Sequence, residues 1–75
     1  MTDKDKKIIA DAKKNGTPIF VLTAKDSMSI RTMYNYMFHC EDNGCDAEHI
    51  NGVNKRIKEF AAWKGQNPDK VHTPD

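Results

Sequence analysis

The sequence predicts an α+β fold, a small helix–strand–helix–helix domain whose single strand pairs between subunits beneath an αα-hairpin. Three observations carry that expectation. Residues 18–24 alternate like a strand with apolar side chains on both faces, two amphipathic segments flank a glycine turn at Gly44, and a charged, weakly apolar stretch precedes them.

Residues 3–15 read as the first helix. Asp3 and Asp5 lie in its opening turn, Ile8, Ile9 and Ala12 share a face, and Lys13 and Lys14 close it before Gly16. An acidic start, a basic end and a glycine just beyond suit the helix dipole and the left-handed cap. The apolar stripe is thin, so residues 1–16 are expected to be a peripheral helix. A competing reading makes residues 6–10 a short strand that pairs within the chain.

Thr17-Pro18 ends the helix, because proline disfavours helical geometry in the residue before it. Ile19, Val21 and Thr23 then fall on one face and Phe20, Leu22 and Ala24 on the other. Both faces want cover, and no second run of similar length offers a partner edge. The expected solution is antiparallel pairing of residues 18–24 with the same segment of a second copy about a two-fold axis.

Asp26, Ser27 and Ser29 are successive N-cap candidates for a second helix, with Ile30, Met33, Tyr34, Met37 and Phe38 as its core stripe. Gly44 suits its C-terminal turn. Asp46 caps a third helix, whose expected buried line is Ala47, Ile50, Val53, Ile57, Phe60 and Ala61 up to Gly65. Gly52 inside that helix is expected to mark a close approach by the second. The short connection makes the pair an antiparallel hairpin. Residues 17–65 thus form the core, and residues 66–75, with two prolines and no periodicity, an extended or disordered tail.

At 75 residues a lone core barely offsets chain entropy, which again favours a homo-oligomer. The N-terminal stretch MTDKDKKIIADAKK lacks an apolar leader segment, so a cytoplasmic location is expected and a membrane partner is not. A net charge of +1 argues against coating duplex DNA. Cys40 and Cys45 are too few for a disulfide scaffold and are expected as free thiols.

Two constellations carry candidate chemistry. His39, Cys40, Cys45 and His49 are zinc-type ligands, but the first pair is adjacent, unlike a turn-forming C-x2-C knuckle, and buried cysteines beside solvent-facing histidines explain them as well. No metal or cofactor is assigned. The strand-to-helix junction gathers Lys25, Ser27, Ser29 and Arg31 at a helix N-terminus, with Tyr34 a turn further on. Such a place holds phosphate, and the tyrosine offers a stacking face. Helix capping explains the same serines. Lys55, Arg56 and Lys58 on the third helix read as a solvated face with Glu59 as a local partner. No nucleophile elbow, phosphate loop or HExxH set is present, so no catalytic residue is assigned and no enzyme is expected.

The Pro18-Ile19-Phe20-Val21-Leu22 segment, Ala24 and Asp26 after it, the Tyr34 and Tyr36 helix, Gly44 and the Asn67-Pro68-Asp69-Lys70 tail ending in Pro74-Asp75 resemble small uncharacterised proteins encoded by tailed phages and prophages. The resemblance spans residues 18–75 and transfers no functional residue. It implies a non-enzymatic phage accessory or counter-defence protein that sequesters a phosphate-bearing small ligand, such as a nucleotide signal, at a subunit interface. The alternative is an inhibitor or scaffold that binds a host protein through the last helix and tail. A nucleic-acid accessory factor is the third reading.

Overall fold

The computed structural model describes residues 2–74; Met1 and Asp75, the outer ends of the expected N-terminal region and tail, lie outside them. Three helices follow in order, α1 (Asp3–Asn15), α2 (Ser29–Asp42) and α3 (Ala47–Gln66), and a short 3-10 turn at Pro68–Lys70 comes last. The fold is all-helical, which overturns the expected α+β domain with its single strand pairing between subunits. Residues 17–23 run extended, but the described residues contain no strand, and residues 18–22 make no main-chain hydrogen bond. Alternating apolar side chains define a face only when another edge satisfies the backbone, and the described residues supply none. Ile19, Phe20 and Val21 are accordingly exposed, Phe20 at 85 %.

Residues 6–10 are helical within α1, so the competing intrachain strand is also absent. Thr2 caps α1 in a reciprocal box with Asp5: the Asp5 amide donates to Thr2 Oγ1 at 3.1 Å. Gly16 ends the helix at φ 67°. No Cα atom of α1 comes within 8 Å of α2 or α3. What ties it down is an ion pair, Arg56 Nη2 to Asp5 Oδ2 at 2.7 Å, and the burial of Ala12.

The core sits between α2 and α3, which pack as an antiparallel hairpin across residues 43–46. Its seam is Ile30, Met33, Met37 and Cys40 against Ile50, Val53, Ile57 and Phe60. The alternating three- and four-residue steps are those of a coiled-coil seam, which buries a narrower stripe than a globular core does. Tyr34, Phe38, Ala47 and Ala61, expected inside, therefore flank the seam and are exposed. Ile57, only 2 % exposed, is its most enclosed apolar residue.

The tail from Gln66 returns to its own chain. The His72 amide donates to the Lys25 carbonyl at 2.9 Å and the Ser27 amide to the His72 carbonyl at 3.0 Å, an isolated parallel bridge at Asp26. Among the described residues, no helix is long and apolar enough to cross a membrane.

Gly52 does not mark a close approach: a Cβ built there meets nothing within 4 Å. Its only effect is the entropy it adds to the unfolded chain. Gly52→Ala is therefore expected to stabilise the domain by about 1 kcal/mol, read as a raised denaturation midpoint with an unchanged slope.

The Asp5 carboxyl sits below the usual aspartate range, chiefly through its side-chain hydrogen bond with Thr2; desolvation opposes this, and the Thr2 main chain and then the Arg56 charge lower it further. A lowered folded-state value stabilises above the ordinary aspartate pKa and is lost as pH falls through the folded value. Hydrogen-exchange protection factors in residues 3–15, taken relative to the intrinsic rate at each pH, should fall on acidification through that range before those of α2 and α3. At neutral pH, Arg56→Ala should accelerate the same amides selectively.

Candidate functional site

The loop into α2 is organised by Asp26. Its Oδ1 accepts the Met28 amide at 2.8 Å, and its carbonyl accepts the Ser29 amide at 3.1 Å and Ser29 Oγ at 2.8 Å. From the far end of α3, Lys64 Nζ donates to the same carbonyl at 2.6 Å. Asp26 thus performs the capping, while Met28 stands at the N-cap position with no side-chain bond of its own.

These contacts sort the five residues read from the sequence as a ligand site. Ser29 is fully buried and its hydroxyl is engaged, so it faces no ligand. Lys25 is exposed and outside the groove described next. Ser27, Arg31 and Tyr34 do come together. They line an open groove of about 480 Å³ with Ile30, Asn35, Phe38 and Lys64. Tyr34 and Phe38 stack with ring centroids 6.1 Å apart and planes at 29°, and both are about half exposed.

Ile30, Asn35, Phe38 and Lys64 are the groove members that the sequence reading left out of the site, and Phe38 and Lys64 bring its second ring and its second cation. The spacing of Phe38, one turn after Tyr34, signals a shared face, but that face was assigned to the core. Nothing local announces Lys64, which reaches Asp26 across 38 positions of chain. Its ammonium carries three donors, and the Asp26 carbonyl uses one. Two remain for a ligand. Arg31 is exposed and joins no ion pair among the described residues.

At the opposite end of α2 a second cluster forms. Tyr36 Oη lies 2.9 Å from His49 Nε2, with the rings edge to face at 5.9 Å. Cys40 is buried in the seam and Cys45 is exposed after the turn, both as free thiols. A hydrogen bond with Cys40, then desolvation and the Cys40 charge, push the Cys45 thiol above its ordinary pKa; Cys40 raises Tyr36 in the same way. Among the described residues no three His, Cys, Asp or Glu side chains converge on a metal-sized centre. The His39, Cys40, Cys45 and His49 constellation is thus not assembled as a zinc site.

Comparison with protein-family models, with curated proteins and with solved structures gives no match.

The cluster generates a pH expectation. Because Cys40 holds the Cys45 proton in place, alkylation of Cys45 by iodoacetamide should reach half its limiting rate at a pH above that of a free cysteine. Cys40→Ser should bring the midpoint back down. Equal midpoints in the two proteins would show that the thiols do not interact.

Proposed function

We propose that the chain is a non-enzymatic binding protein that takes a phosphate-bearing small ligand with a planar ring, such as a nucleotide, in the groove between α2 and the end of α3. The stacked Tyr34 and Phe38 beside Arg31 and Lys64 carry this reading. An aromatic face accepts a base without needing to read its identity. The Arg31 guanidinium offers a planar fork for phosphate oxygens, and Lys64 adds a fixed charge. Ser27 adds a hydroxyl at the rim. A counter-defence setting rests on the phage-protein resemblance alone.

A protein-contact function is the second reading, favoured by the exposure of Ile8, Ile19, Phe20 and Val21 along one open groove with α1. That face differs from the α3-and-tail surface expected from the sequence, because the tail main chain is engaged at Lys25 and Ser27.

Titration calorimetry with purine mononucleotides and a cyclic dinucleotide tests the first reading. Arg31→Glu and Tyr34→Ala should each weaken binding about tenfold or more, on the order of the 1–3 kcal/mol that one stacked base contributes. Lys25→Glu should change it much less. Binding indifferent to Arg31 and Tyr34 would reject the groove, and no binding by any nucleotide would leave the protein-contact reading standing.

A further inference from the structure

The turn that joins α2 to α3 has the two hydrogen bonds of a Schellman motif. The Gly44 amide donates to the Glu41 carbonyl at 3.3 Å and the Cys45 amide to the Cys40 carbonyl at 2.9 Å, with Gly44 left-handed at φ 70°. In this motif the side chains at the ends of the longer bond meet, ordinarily as an apolar pair. Here both ends are cysteines. The backbone bond holds their Cα atoms near the span that disulfides bridge, usually about 4.4–6.8 Å.

We propose that Cys40 and Cys45 form a reversible dithiol–disulfide pair, a modification site that takes a small-molecule disulfide such as oxidised glutathione as its oxidant. Their unequal exposure sets the order of events. Cys45, exposed, loses its proton to solvent and its sulfur attacks one sulfur of the oxidant, whose S–S bond breaks. One glutathione thiolate leaves and is protonated. Cys40, only 4 % exposed but held beside Cys45 by the main-chain bond between them, then loses its proton and attacks the Cys45 sulfur. The second glutathione thiolate departs. Two protein thiols have given two electrons, and one disulfide has become two thiols. The product closes a ring over the turn that the backbone has already closed, so the helical hairpin keeps its shape.

The test is equilibration of the whole chain with mixtures of reduced and oxidised glutathione, an acid quench, and mass spectrometry of the native and the urea-unfolded protein. The expected product is an intramolecular disulfide, two hydrogens lighter and free of glutathione. It should form in the native chain at a reduced-to-oxidised ratio at least about tenfold more reducing than the unfolded chain requires, with helical circular dichroism unchanged. Several results would overturn the proposal: a glutathione adduct that persists at Cys45, no gain over the unfolded chain, or a disulfide that forms only as helix is lost. Gly44→Ala gives a second check, since a Cβ at φ 70° strains the turn. In a Gly44→Ala protein that still folds, the native advantage should shrink; an undiminished advantage would show that the turn does not create the pair.

Discussion

The Asp26 carbonyl is the point on which the rest of the molecule depends. It receives the Ser29 amide, the Ser29 hydroxyl and the Lys64 ammonium, so one oxygen fixes the start of α2 and the end of α3 together. A charged donor makes the stronger class of hydrogen bond, and partial burial keeps water from competing for it. The tail closes over the same residue, with His72 bonded to the neighbours on either side. A two-helix hairpin has no third helix to cover its open end. Here a loop, a lysine and a returning tail supply that cover, and in doing so they form the wall of the groove.

Helix existence and most helix ends were legible because capping is local. Gly16 and Gly44 do adopt the left-handed conformation, and the Asp46 side chain accepts the Glu48 amide as an N-cap should. The strand was not legible because strand formation is a property of two segments. Residues 18–22 carry the composition of one, but their backbone groups have no partner edge among the described residues, and much of the alternation is left exposed. The core stripe was read too wide for a related reason. A hairpin seam contacts one neighbour, whereas the expected stripe assumed a helix enclosed on a broader face, so Tyr34 and Phe38 were placed inside.

Width of seam and identity of site are therefore one question. The residues that a single-neighbour hairpin leaves outside are the aromatic pair that gives the groove its stacking face. Arg31, Ser27 and Tyr34 were legible as helix-start chemistry, while Ser29 was misplaced because a serine that caps and a serine that faces inward look alike in sequence. Its hydroxyl went to the carbonyl three residues back, a local bond that competes with any ligand. Lys64 had no local signature at all. Long-range polar contacts of this kind follow from how α3 is docked, which no window along the chain encodes.

The Asp26 loop and α1 are consequently unlike in how they are held. The start of α2, Lys64 of α3 and the tail are three segments hydrogen-bonded around the Asp26 loop. Away from it, α1 is tied to the middle of α3 through Arg56 while Ile8, Ile19, Phe20 and Val21 stay largely in water. A partly exposed ion pair contributes little, usually below about 1 kcal/mol, so the docking of α1 is weak compared with the packing of the hairpin. Local opening should follow that gradient, with α1 and the extended segment separating before the seam around Ile57 yields. The apolar residues of that segment are thus attached to the part of the chain with the fewest long-range contacts, while the aromatic and cationic groove stands on the hydrogen-bonded hairpin. A groove that must present rings and charges in fixed register gains from that placement, since little further ordering is lost when a ligand enters.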